Sequence, residues 1–162
     1  MLPYSDNKPK GAGDFYFAIN ATFRFLQRNF GMDNLVRYWT GLGESIYFQP
    51  VADDWRTRGL PAVAEYWRDF FQAEPNALVE VMCDEKQVRV DVKQCPAIFH
   101  LRKNGRSIVP EFCQHCYFVS DAMGARAGLG ARIEGGNGTC RQTFAARNSQ
   151  APQNLAAIRR AS

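Results

Sequence analysis

Between Ala77 and Lys93 the hydrophobic pattern of the chain changes period. In Gln87-Val-Arg-Val-Asp-Val-Lys93, the valines at 88, 90 and 92 alternate with Arg89, Asp91 and Lys93. That spacing sends one set of side chains to each face of a strand. The preceding ALVEVMC, Ala77 to Cys83, is a second short valine-bearing run, and Asp84-Glu85-Lys86 suits a hairpin between the two. A chain with such a hairpin at its middle must bury the valine face, and the segments on either side must supply the cover.

Before the switch the periodicity is helical. Phe15, Ile19, Thr22, Phe23, Leu26 and Phe30 recur at helix spacing from Asp14 to Phe30. A second helix is expected with Asp33 as its N-cap, running through Leu35, Val36, Trp39, Leu42, Ile46 and Phe48. Gly41 and Gly43 inside it weaken the helix or mark close helix packing. A third follows Gly59 with Pro61 in its first turn and Val63, Tyr66, Trp67, Phe70 and Phe71 as its face. After the valine hairpin, Cys95-Pro96 opens a short helical turn through His100, which Gly105 ends. Pro110 starts a longer helix over roughly 111–127, closed near Gly128. Ala131 to Glu134, the turn Gly135-Gly136-Asn137-Gly138, and Thr139 to Ala145 form a second hairpin signal. The predicted class is α+β, with N-terminal helices packed on a small antiparallel sheet in the order α-α-α-β-β-α-β-β. Residues 1–13 read as a flexible leader, 14–147 as one domain, and the polar, Ala-rich 148–162 as a flexible tail whose truncation is tolerated.

Composition narrows the function classes. The 162 residues are 46% hydrophobic and 13% aromatic, enough for a real core. The net charge of +4 is spread without a long basic run, and no basic stripe interleaves Trp39, Trp55 and Trp67, so no nucleic-acid partner is expected. No stretch is long and apolar enough for a membrane span, and the polar start lacks a secretory apolar region. An odd count of five cysteines without such a signal points to reduced thiols and a cytoplasmic location.

Four of those cysteines and both histidines fall between 95 and 140. Cys113 and Cys116 in Glu111-Phe-Cys-Gln-His-Cys-Tyr117 lie three apart and share a helix face, which Ser120 and Met123 continue. His115 points roughly 100° away from Cys116, toward Phe112 and Val119. Cys113 in the first helical turn is favoured for ionisation. Cys95 ends a strand and Cys140 opens one, so a shared mouth with Cys113 is the expectation. The blander readings stand beside this. Cysteine is often a core residue, and Cys83 on its valine-rich strand is expected to be core. His115 alone reads more simply as a core or surface histidine, and Asp121 as a solvated helix residue. A structural zinc would need two close ligand pairs; only one C-x-x-C is present, and Cys95, His100 and Cys140 would have to complete it. Gly135-Gly-Asn-Gly138 lacks the strand-to-helix setting and lysine of a phosphate loop.

Cys95-Pro96, Phe112-Cys113, Asp121 and Gly138-Thr139-Cys140 running into Phe144 resemble the C-terminal part of the L-2-amino-thiazoline-4-carboxylic acid hydrolase family. The helical first half ending in a valine-rich hairpin suits that family as well. A more distant similarity is to 4-vinyl reductase domains, some of which are zinc-containing sensors. Arg132 stands where such sensors would carry a further cysteine before Cys140. The resemblance implies a cysteine-dependent hydrolase that opens a small cyclic amidine. Cys113 attacks the carbon between the heteroatoms, with Cys95 or Cys116 as alternative nucleophiles. His115, Asp121 or His100 shuttles protons, and Arg102 or Arg132 holds a substrate carboxylate. His100, Arg102, Arg132 and Cys140 form the substrate-binding set. No cofactor or resident metal is expected; the partners considered are a small-molecule substrate and a second copy of the chain in a homo-oligomer. The rival classes are a non-catalytic ligand or zinc sensor domain and an assembly module.

Overall fold

The computed structural model describes residues 13–162, so the leader expected over 1–13 lies, apart from Gly13, outside the described residues. The fold is α+β. Helix α1 (Phe15–Glu44) is broken at Gly31, whose φ of 82° and ψ of 174° are non-helical. It therefore acts as the two helices that the periodicity predicts. Instead of continuing to Phe48, the second half stops at Glu44. A 3-10 turn (Ile46–Phe48) follows, and then α2 (Gln49–Arg58), an element absent from the sequence reading. Ala52 and Trp55 alone are buried on α2, while Arg56 and Arg58 pair with Asp53 and Asp54 on its solvent side. So little apolar surface leaves a weak 3.6-residue signal. Helix α3 (Leu60–Ala73) starts after Gly59, whose φ of 70° turns the chain between the helices.

The strands are β1 (Leu78–Cys83), β2 (Gln87–Gln94), β3 (Leu129–Gly136), β4 (Thr139–Ala146) and β5 (Ile158–Arg159). Helices α4 (Pro96–Lys103) and α5 (Gln114–Ala125) lie between the two hairpins. The sheet order is β1-β2-β4-β3-β5. All pairs are antiparallel except β3 with β5, so the small sheet is mixed rather than purely antiparallel. Val88, Val90 and Val92 are 0–4% exposed, as their alternation requires. They face α3 and α5 together with Phe144, Ala131 and Met123. On the outer face Asp91 sits opposite Arg141 and accepts from its Nε at 2.7 Å.

The segment 148–162 lies along the free edge of the sheet. The Gln153 amide imitates a strand residue, accepting the Ile133 N–H at 2.8 Å and donating to the Ile133 carbonyl at 3.0 Å. Ile158 then pairs with Gly135, Arg160 meets Glu111 at 2.6 Å, and Ala161 donates to the Pro110 carbonyl at 2.7 Å. Ile158 and Ala161 are buried. The free edge of β3 needs hydrogen-bond partners and the tail supplies them. Polar composition concealed this because glutamine amides form the bonds.

Two buried clusters result. One lies between the inner sheet face and α2, α3 and α5. The other joins α1, α4 and α5 around Phe23, Leu35, Trp39 and Phe112. Cys95 and Val119 pack against both. Of the two glycines in the second half of α1, Gly43 is the close contact: a Cβ there would lie 2.4 Å from the Val119 carbonyl oxygen, whereas at Gly41 it would meet nothing within 4 Å. Gly43→Ala should therefore lower stability by about 1–3 kcal/mol through overpacking. Gly41→Ala should be neutral or stabilising by up to ~1 kcal/mol from helix propensity. Urea unfolding of the pair tests this; equal midpoints would show that α1 and α5 do not touch at Gly43.

Candidate functional site

Four cysteines are carried to the seam between the two clusters by four different local rules. Cys95 follows β2 and precedes Pro96, the first residue of α4. Its N–H donates to the Gly138 carbonyl at 2.9 Å, which ties the β3–β4 turn to the start of α4. Cys113 immediately precedes α5, and Cys116 lies in its first turn. Cys140 stands on β4 opposite Val92 and Gly135, on the inner face. All four are partly exposed, and every cysteine is a free thiol.

The turn itself acts on the thiols. Asn137 and Gly138 adopt positive φ, 60° and 109°, a conformation that points successive N–H groups to one side. The Asn137 N–H donates to Cys113 Sγ at 3.3 Å. Arg102 holds this turn in place: Nη1 donates to the Asn137 carbonyl at 3.2 Å, and Nη2 donates to the Asn137 side-chain oxygen. The same guanidinium donates from Nε to the Ser162 carbonyl at 3.0 Å, and the Ser162 N–H donates to Asn137 Oδ1 at 2.9 Å. Arg102, predicted to grip a substrate carboxylate, thus fastens the tail and the turn.

Burial dominates the electrostatics. It pushes the Cys113 thiol up to about 11; the N–H groups of Asn137 and Gly138 and the charge of Arg102 work against it, and Cys116 adds to it. Burial raises Cys95 to about 12, with Cys116 and Cys113 adding and the Ile98 and Ala97 amides opposing. Burial also raises Cys116 to about 12. Cys140 is pushed up further, by burial and then by Cys116, Cys95 and Cys113. Tyr16 joins the group. Its hydroxyl donates to Glu74 Oε2 at 2.5 Å, and burial, Glu74, Cys95 and Cys116 all hold its proton on. Cys95, Cys113 and Cys140 all meet the β3–β4 hairpin end, and Cys116 lies one helical turn from Cys113.

His115 departs from expectation. It turns to Phe112, as predicted, and its Nδ1 bonds the Phe112 carbonyl. Its ring also brings Nε2 within 3.6 Å of Cys116 Sγ, so it does not point clear of that thiol. A carbonyl can only accept, so Nδ1 carries the proton and Nε2 is left as the acceptor facing sulfur. The ring is enclosed by Phe112 at 4.9 Å and Phe23 at 5.2 Å, and burial lowers its pKa, with the Phe112 carbonyl opposing.

Several candidates lie elsewhere. Asp121 accepts the Ala131 N–H at 3.1 Å and pairs with Arg147 at 3.1 Å, so it joins α5 to β3. His100 packs on Phe17 at 4.8 Å, with Nε2 3.6 Å from Asp14. Arg132 is on the outer sheet face, in a shallow depression of about 630 Å³ with Glu134, Thr143 and Gln150. Cys83 is exposed at the end of edge strand β1, not core. Among the described residues no three His, Cys, Asp or Glu side chains converge in a way that could hold a metal ion. Nor is any helix there long and apolar enough to cross a membrane. Sequence reasoning missed Asn137 and Gly138, which act through backbone N–H groups, and Tyr16, whose partner Glu74 is 58 residues away. Comparison with known protein families, curated proteins and solved structures gives no match for this chain.

Two consequences are measurable. The fold favours protonated thiols, so their contribution to stability is full below the ordinary cysteine value of 9.0 and is lost as pH rises toward about 11 for Cys113. It favours neutral His115, whose contribution is full above the ordinary 6.5 and is lost as pH falls through the lowered value. Thermal melting should therefore peak between those limits; a protein most stable at pH 10 would contradict the burial of the thiols. Alkylation of Cys113 should climb roughly tenfold per pH unit up to its pKa. Arg102→Met should slow that labelling several-fold at fixed pH, because a charge that lowers the thiol pKa is lost. Unchanged rates in peptide-resolved mass spectrometry would remove Arg102 from the site.

Proposed function

We propose that this protein is a cysteine-dependent hydrolase of a small cyclic amidine, with Cys113 as the nucleophile. The observation that carries the reading is the N–H of Asn137 directed at Cys113 Sγ from across the fold. A donor at sulfur stabilises the thiolate and the charge that develops as it attacks. Cys113 is also the least raised of the four clustered thiols. The sulfur would bond to the carbon between the two ring heteroatoms as its proton passes to a base. His115 would supply that base through its free Nε2, which faces the Cys116 thiol one helical turn from Cys113. The C–N or C–S bond of the ring then breaks, and the departing heteroatom takes the proton. Attack of water on the same carbon breaks the carbon–sulfur bond to Cys113 and restores the thiol. The net change is addition of one water and opening of the ring. The free thiols suit a reducing, cytoplasmic setting.

One observation favours the second reading, a ligand-binding domain without turnover: at neutral pH every clustered thiol is held protonated. The two separate cleanly. With 2-amino-thiazoline-4-carboxylate as substrate, Cys113→Ser should lose at least ~10³-fold in kcat while keeping the wild-type melting temperature. Binding without ring opening by the parent protein, or full turnover by Cys113→Ser, would establish the binding-domain reading or move the nucleophile to Cys116 or Cys95.

A further inference from the structure

The outer face of the sheet carries two adjacent rungs of polar side chains. In one, Arg89, Thr143 and Arg132 stand side by side on β2, β4 and β3. In the next, Asp91, Arg141 and Glu134 do the same. Asp91 takes both arginines nearest to it: Arg89 Nε lies 3.2 Å and Arg141 Nε 2.7 Å from its carboxylate. That leaves Arg132 and Glu134. They are two residues apart on β3, so their Cα atoms are roughly 7 Å apart and their side chains leave the same face. Among the described residues, neither forms an ion pair or a side-chain hydrogen bond, with the other or with any neighbour. Arg132 is only partly exposed, and a half-buried guanidinium is seldom left without a partner. Both residues line the depression of about 630 Å³ that the strands share with the β1–β2 hairpin. That is room for a small ligand. Thr143, beside Arg132, lines it too, and its hydroxyl makes no hydrogen bond among the described residues. The Asp84 carboxylate is already committed, accepting the Lys86 and Gln87 N–H groups at 2.8 and 2.9 Å.

We propose that this depression is a second small-molecule site, for a zwitterion of the α-amino-acid type. The ligand carboxylate takes the Arg132 guanidinium, with the Thr143 hydroxyl as a further donor, and the ligand ammonium takes Glu134. One molecule then pairs two charges that stand close together on one strand without pairing each other. A plain anion would satisfy Arg132 alone and would lie among the carboxylates of Asp84, Glu85 and Glu134, which outnumber the cations Lys86 and Arg132. A plain cation would leave Arg132 as it is. The site lies on the opposite face of the sheet from Cys140, so it goes beyond the chemistry of the thiols and stands whether or not Cys113 is a nucleophile.

An NMR titration of the whole chain tests this. The common protein L-amino acids are added one at a time, to about 10 mM, since so small a ligand in an open site binds weakly. At least one should move the backbone amide signals of Arg132, Glu134 and Thr143. Acetate and methylammonium, each carrying one of the two charges, should bind at least about tenfold more weakly than that amino acid. Arg132→Met keeps the packing of the side-chain stem and should weaken binding about tenfold or more. Glu134→Gln, at an exposed position where folding is not at stake, should do the same. The proposal is overturned if no amino acid moves those signals, or if acetate binds as well as the best of them. Binding indifferent to Glu134→Gln overturns it too, as do shifts confined to Cys113 and Cys116.

Discussion

The β3–β4 turn is held against the starts of two helices by two hydrogen bonds, and the seam depends on them. The Cys95 N–H reaches the Gly138 carbonyl, and the Asn137 N–H reaches Cys113 Sγ. Each bond runs between elements that are far apart in sequence, so together they fix the distance between the sheet and both α4 and α5. Arg102 and Ser162 brace the turn from outside. The tail consequently has a role at the site, although none of its residues belongs to the thiol group. Ile158 and Ala161 anchor it in the interior, and Ser162 closes on Asn137. Losing the tail would leave Arg102 alone to hold the side chain of the residue whose backbone holds the Cys113 sulfur.

Burial and hydrogen bonding oppose each other at these thiols, and burial wins. The Cys113 value moves from 9.0 to about 11 even with two amides and an arginine acting against the rise. At neutral pH the resting thiolate is then roughly one molecule in ten thousand. A nucleophile in that state works only if its proton leaves during the attack. In the proposed hydrolase reading that role falls to His115: burial favours its neutral form, the Phe112 carbonyl orients it, and its free nitrogen faces Cys116. A resting ion pair of the kind found in many thiol enzymes would be too strongly desolvated here.

Much of the scaffold was legible because it follows period. The valine alternation located the central strand, and the three-residue spacing of Cys113 and Cys116 put both thiols on one helix face. The break at Gly31 appeared as a boundary between two helical patterns. What escaped has a common cause. Helix α2 buries only two side chains, strand β5 is two residues long, and the edge of β3 is completed by glutamine side chains. None of these leaves a hydrophobic rhythm. The site was half legible for the same reason. Residue types marked the thiols and His115, but the groups that tune Cys113 are backbone amides, which have no signature in composition. Asp121, Arg102 and Arg132 drew attention as charges, yet the fold uses the first two as ties and places the third on the opposite face.

Gln142 went unread in the sequence. It occurs in phase with Cys140 and Phe144, and the sheet register turns it inward among apolar neighbours. A local rule broken at the centre of a core, with no partner to repair it, is a cost that a purely structural role does not explain. The same holds for the thiols, which crowd ionisable groups together where hydrocarbon would pack as well. Cys140 stands two residues from Gln142 on the same face of β4. Among the described residues, buried thiols, the neutral His115 ring and an unpaired amide oxygen all stand where hydrocarbon would have packed, and each forgoes stability that an apolar side chain would have kept.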